Sequence, residues 1–223
     1  MSRAIIMGSA FLPGQVMDPL AVALRRRGWT AEWAAPTSAA TAQAAADTYV
    51  AAAHRARATV AIAHSNAGNF VPAVTAGSTV TQVVFLDAII PPLSGGTWPV
   101  VPAGLREMLT SSAPHGLLPP WTQWWPEADV AALFPDLATF RRVDADAPRV
   151  PLSYLSSSAT AAKDWSVGLD LAYVAFGATY ADAIRVAADA RWPVRILQLG
   201  HLGMLQEPTT VADAILSLQP TAR

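Results

Sequence analysis

The chain has 223 residues, 52% hydrophobic and 14% charged, with a net charge of −1, a length suited to one well-buried domain and short for two. The near-neutral balance excludes the electrostatic footprint of a nucleic-acid binder or of a protein held on an acidic membrane, and the absence of cysteine excludes disulfides and thiolate metal sites. No apolar run approaches the roughly 18 residues of a membrane span, and the N-terminal run is too short for a signal-peptide core, so the expectation is a cytoplasmic protein.

In chain order, Ala4-Ile5-Ile6-Met7 is a compact apolar run ending in Gly8-Ser9-Ala10, as a buried parallel strand followed by a loop would be. Asp18-Pro19 predicts a helix start with the aspartate as cap, and Leu20, Ala23 and Leu24 mark one face. Arg25, Arg26 and Arg27 followed by Gly28 suit a helix C-terminus, so the triplet reads as structural rather than as an anion site. A strand at 29–33 and an alanine-rich helix at 39–57 follow.

The stretch from Thr59 to Gly68 is the most informative. Thr59-Val60-Ala61-Ile62-Ala63 is a strand-like run that breaks into His64-Ser65-Asn66-Ala67-Gly68, with small residues two before and two after the serine. That spacing fits a sharp strand-to-helix turn that lifts a nucleophilic serine Oγ above the carboxyl edge of a sheet and aims the next backbone N–H, that of Asn66, at a developing oxyanion. The plain alternative is an ordinary strand-turn-helix junction. The helix behind the serine is expected over 67–76, with Pro72 predicting a kink or a late start. The run Gln82-Val83-Val84-Phe85-Leu86 is the next strand, and it ends in Asp87.

From 91 to 165 the pattern changes to frequent prolines, no strand of convincing length, and Trp98, Trp121, Trp124 and Trp125. It reads as a helical lid inserted in a single 1–223 domain, with short helices near 104–111, 128–134 and 151–155. The tryptophans are candidates for substrate contact or for the lid's own small core. Regular alternation then returns with a strand at 171–176, a helix at 181–190, a strand at 194–199 and a last helix opened by Pro208. Between the last strand and that helix lies Gly200-His201-Leu202-Gly203-Met204. The fold class is therefore α/β, a mostly parallel sheet of about six strands flanked by helices.

Serine follows a middle strand, aspartate a later strand and histidine the last strand, in the order Ser65, Asp87, His201, which is the order of the α/β-hydrolase triad. The elbow, the strand end Val84-Phe85-Leu86-Asp87-Ala88-Ile89-Ile90-Pro91 and the segment Gly200-His201-Leu202-Gly203-Met204-Leu205-Gln206-Glu207-Pro208 resemble that superfamily, and most closely its branch of small methylesterases and hydroxynitrile lyases. The resemblance implies Ser65 as nucleophile, His201 as base and Asp87 as acid, with Asp182 in reserve. The branch usually carries its acid after the strand at 171–176, where this chain has Gly177-Ala178-Thr179-Tyr180-Ala181-Asp182. It also usually carries His-Gly after the first strand, and here the pair is Met7-Gly8, which leaves Ser9 and Ala10 as candidates for the second oxyanion donor. Of the other histidines, His64 reads as a packing residue, His54 as a surface residue and His115 as part of the lid.

The expectation is an esterase or thioesterase acting on a bulky, apolar, uncharged small molecule without cofactor or metal. An elimination or cyclisation enzyme on the same scaffold, in secondary-metabolite biosynthesis, is the second reading. A catalytically silent ligand-binding module is the third.

Overall fold

The computed structural model describes residues 2–113 and 115–219. Strand β1 spans Arg3–Met7, helix α1 Asp18–Arg26, strand β2 Thr30–Ala34, helix α2 Ala42–Ala56 and strand β3 Val60–Ser65. A 3-10 turn at Asn66–Phe70 leads into α3, Val71–Ala76, and β4 follows at Gln82–Ala88. After a long intervening segment come β7 (Asp170–Phe176), α8 (Ala181–Asp189), β8 (Val194–Leu197), a short α9 (Gly203–Gln206) and α10 (Pro208–Ser217). The six strands form one sheet in the order β2-β1-β3-β4-β7-β8, each pair parallel.

Parallel strands covered on both faces bury every side chain, so they appear in sequence as unbroken apolar runs. All of β3 is buried, and so are the last six residues of β4 and of β7. Helix α2 packs through Ala45, Ala46, Ala52 and Ala53, whose small side chains let it lie close to the sheet, with Tyr49 as the one large residue of its buried face. Two of the three arginines tie down the end of α1, and one of them reaches α10. Arg25 Nε donates to the Ala31 carbonyl at 2.8 Å, Arg27 Nη1 to Ala23 at 3.0 Å, and Arg27 Nε to Asp213 on α10 at 2.5 Å.

Two local expectations need correction. Asp18 does not cap α1; it is the helix's first residue, and its carboxylate accepts instead from the indole N–H of Trp33 at 2.6 Å. Pro72 gives the late start rather than the kink: α3 begins at Val71, not at 67, and the proline sits in its first turn, where a missing N–H costs nothing. The segment between β4 and β7 is not free of strands. Its two ends, β5 (Gly96–Pro99) and β6 (Ser158–Ala161), pair antiparallel with Thr97 opposite Thr160. Between them lie α4 (Ala103–Ser111), α5 (Glu127–Ala131), α6 (Leu137–Asp146) and α7 (Leu152–Leu155). Helix α6 has no counterpart in the sequence reading. Among the described residues no helix is long and apolar enough to cross a membrane.

Candidate active site

Ser65 ends β3 with φ 58° and ψ −127°, a conformation that a non-glycine residue holds only when its surroundings impose it. The imposition is visible on both sides. Ala63 and Ala67 are fully buried, and Gly68 allows a close backbone approach, since a Cβ there would fall 1.9 Å from the Ile89 carbonyl oxygen. The β3–β4 register shifts between His64 and Ser65, so Ser65 pairs with Ala88 and the Ile89 N–H donates to the Ser65 carbonyl at 3.1 Å. That shift brings Asp87, itself at φ 43°, alongside the serine.

His201 lies in the loop after β8 and spans the gap between the two. Its Nδ1 is 2.6 Å from Asp87 Oδ2, and its Nε2 is 3.1 Å from Ser65 Oγ. The second Asp87 oxygen accepts from the Phe176 N–H at 2.9 Å, so both oxygens of this fully buried carboxylate are satisfied. An ionised carboxylate only accepts, which puts the proton of the His201 ring on Nδ1 and leaves Nε2 to accept from Ser65. Asp182 is elsewhere, in the first turn of α8, exposed and paired with Arg185 at 2.8 Å.

The loop after β1 approaches the elbow through the pairing of Met7 with Ala63. Ser9 and Ala10 are buried, and among the described residues neither backbone N–H has an acceptor within the protein. The Asn66 N–H opens the 3-10 turn, a position without an acceptor inside that turn. Tyr49 donates its hydroxyl to the Gly8 carbonyl at 2.5 Å, which fixes the peptide that carries the Ser9 N–H.

A cavity of about 740 Å³ opens over Ser65 and His201. Trp121, Trp124, Trp125 and Phe11 line it, and Trp125 packs edge to face on Trp121 and tilted on Trp124, with centroids 5.5 Å and 5.7 Å apart. Trp98 does not belong with them. It is buried on β5, and its indole N–H donates to Asn69 Oδ1 at 2.9 Å behind the elbow. Asn69 Nδ2 in turn reaches the Asn66 carbonyl at 3.0 Å, Asn66 Nδ2 reaches the Val100 carbonyl at 2.6 Å, and the Tyr154 hydroxyl donates to Asn66 Oδ1. This network ties the 91–165 segment to the turn that carries the serine. On the exposed rim of the cavity sit Asp129 and Asp182, and among the described residues no lysine or arginine lines it.

The residue the sequence reading passed over is Tyr180, whose hydroxyl is 3.2 Å from Ser65 Oγ. It lies in the loop after β7, where only carboxylates are sought when an acid is missing. Burial, more than any neighbour, pushes its hydroxyl up to about 12. Phe11, Asn69 and Tyr154 are equally silent in the sequence, because a lone aromatic or amide in a loop or a single helical turn carries no periodic signal.

By sequence, the chain matches no known family and no curated protein. By structure it is similar to an extracellular α/β-hydrolase from a Paenibacillus species, described as sharing structural and functional homology with tobacco salicylic acid binding protein 2. The identity is 17%, the TM-score 0.73, and 99% of this chain and 100% of that one are covered. It is also similar to a pyrethroid hydrolase from Sphingobium faniae, at 14% identity and TM-score 0.57 with 97% of each chain covered. A thermophilic esterase from Thermogutta terrifontis matches at 13% and 0.60, over 97% of this chain and 89% of that one. With the strand order, the strained serine and these neighbours together, the chain has the α/β-hydrolase fold.

Proposed function

We propose that the protein is a serine hydrolase that cleaves an ester or thioester of a bulky, apolar, uncharged small molecule. One observation carries the reading, the unbroken line of hydrogen bonds from Asp87 through His201 to Ser65 Oγ. Proteins named as hydrolases and esterases among its structural neighbours support the reaction class. His201 Nε2 takes the Ser65 proton as Oγ attacks the carbonyl carbon, and Asp87 holds the imidazole and stabilises its charged form. The negative oxygen is received by the Asn66 N–H and by that of Ser9 or Ala10. The proton then passes from His201 to the leaving oxygen or sulfur. Water, activated by the same histidine, releases the acyl group.

The aromatic cavity favours burial of an apolar group of substantial size, and among its described lining residues no lysine or arginine is present to pair a carboxylate or phosphate there. The 91–165 segment acts as the lid of this cavity and supplies its three tryptophans. Stoichiometric labelling of Ser65 by an organophosphonate, together with turnover of p-nitrophenyl esters that Ser65→Ala abolishes, is the expected result. A protein that neither labels nor turns over any ester belongs to another reaction class.

A further inference from the structure

Ser65 Oγ has two neighbours, and it has only one proton to give. With the His201 proton on Nδ1 facing Asp87, Nε2 accepts, so the Ser65 hydroxyl donates to it. The contact between Ser65 Oγ and the Tyr180 hydroxyl then has one consistent direction, with Tyr180 donating and Ser65 accepting. Ser65 Oγ is the only hydrogen-bond partner of that hydroxyl among the described residues. Tyr180 is protonated throughout the neutral range, since its hydroxyl is pushed up to about 12 chiefly by burial. It is therefore a neutral donor aimed at the reacting atom of the proposed hydrolase.

The order of strands decides which reacting oxygen it serves. Ser9 and Ala10 follow β1, on one flank of β3, whereas Tyr180 follows β7 and His201 follows β8, both on the opposite flank. The rings of Tyr180 and His201 are 5.7 Å apart. Tyr180 thus stands with the group that delivers the proton to the leaving oxygen and away from the loop assigned to the oxyanion. We infer that Tyr180 is a second catalytic donor for the leaving group, one that makes the site competent for esters of poorly leaving, alkyl-type alcohols. This rests on the serine-hydrolase reading above.

In the resting site Tyr180 hydrogen-bonds to Ser65 Oγ. As Oγ bonds to the carbonyl carbon and its proton moves to His201 Nε2, Oγ becomes an ester-type oxygen and a poor acceptor. The leaving oxygen, one bond angle away on the same carbon, gains negative charge as its bond to carbon breaks. Tyr180 transfers its hydrogen bond to that oxygen and keeps its proton, and the proton that ends on the leaving alcohol is the one His201 took from Ser65. An aryl alcohol stabilises its own charge and gains little from this help. An alkyl alcohol gains most.

The test is a series of esters of one acyl group whose leaving alcohols run from p-nitrophenol through trifluoroethanol to ethanol, with kcat/KM measured for wild type and Tyr180→Phe. Loss of one hydrogen bond to a charged oxygen predicts a fall of about tenfold to a hundredfold for the ethyl ester, and only about threefold or less for the p-nitrophenyl ester. The dependence of log kcat/KM on leaving-group acidity becomes steeper in the variant. Tyr180→Gln, which keeps a donor at the end of a side chain, recovers part of the ethyl-ester rate. An equal loss for every leaving group would reduce Tyr180 to a residue that orients Ser65, and no loss would leave it without a role; either overturns the proposal while Ser65 still labels with organophosphonate. If wild type shows neither Ser65 labelling nor ester turnover, the hydrolase reading fails and this proposal falls with it.

Discussion

His64 lies flat against His201, ring centroids 4.7 Å apart and planes 28° apart, and its Nε2–H donates to the His201 main-chain carbonyl at 3.0 Å. The residue just before the serine thus holds the backbone of the histidine 3.1 Å from the serine Oγ. With the proton on Nε2, His64 Nδ1 is left buried and without a partner among the described residues. Burial, and after it the nearby His201, holds His64 well below its usual value of 6.5, so the folded protein keeps it neutral.

A pH dependence of stability follows from that pairing. Above 6.5 His64 is neutral in both states and contributes no slope. Below it the unfolded chain takes a proton that the folded chain refuses, so stability falls as the solution is acidified, by up to about 1.4 kcal/mol per pH unit. His64→Gln keeps a donor for the His201 carbonyl and cannot titrate. Denaturant melts between pH 7 and pH 4 are expected to show a shallower acid loss in the variant than in wild type, and parallel curves would remove His64 from the account.

The two candidate acids separate cleanly. Asp87→Asn keeps an oxygen for the Phe176 N–H but presents the wrong partner to His201 Nδ1, so kcat on an aryl ester is expected to drop by about 10³ to 10⁴. Asp182→Ala removes an exposed pair with Arg185 and a carboxylate on the cavity rim, neither of which touches His201, and is expected to stay within about twofold of wild type in kcat. A large loss in the second variant with a small one in the first would reverse the assignment.

How far the sequence discloses this arrangement depends on what each residue does for the backbone. The strands are legible because burial on both faces leaves unbroken runs such as Val60 to Ala63 and Val83 to Leu86, and the site follows because Ser65, Asp87 and His201 each sit just past a strand. Strands β5 and β6 are opaque for the opposite reason. They are short, mostly exposed, and built from glycine, proline, serine, threonine and alanine around a single tryptophan, so no apolar run marks them. Helix α6 buries only Phe140 and Val143 and depends on Asp136, whose carboxylate accepts from the Thr139 N–H at 2.7 Å, a signal of one residue. Tyr180 is opaque because its place beside the serine comes from how β7 sits in the sheet and from nothing periodic in its own loop.

The tryptophans provide a test of lid against scaffold. Trp98→Phe leaves the buried Asn69 Oδ1 without its donor, which costs about 1–3 kcal/mol and, at about 2–4 °C per kcal/mol for a chain of this size, lowers Tm by several degrees. KM is expected to hold. Trp125 is 42% exposed and lines the cavity, so Trp125→Ala is expected to raise KM severalfold for a bulky apolar ester while Tm moves by no more than about 2 °C. Thermal melts and Michaelis curves on the same two variants decide it, and a KM effect in Trp98→Phe alone would contradict the division.

The strained turn itself distinguishes a nucleophile from a bystander. A residue at φ 58° and ψ −127° costs about 1–3 kcal/mol unless it is glycine, and glycine in its place loses about 0.5–1 kcal/mol to the greater freedom of its unfolded chain. Both Ser65→Gly and Ser65→Ala lose the bonds to His201 and Tyr180, but only alanine keeps the strain, so Ser65→Gly is expected to be about 1 kcal/mol more stable than Ser65→Ala. Denaturant melts of the two variants measure this difference directly. Both variants are expected to lose turnover of activated esters almost completely, because a covalent route has no other nucleophile at this position. If Ser65→Ala retains substantial activity on a substrate while His201→Ala loses it, the chemistry is an elimination or ring closure in which histidine moves the proton and serine only positions the substrate. A strained serine that labels with an organophosphonate, and whose removal abolishes turnover, is the outcome the geometry at Ser65 predicts.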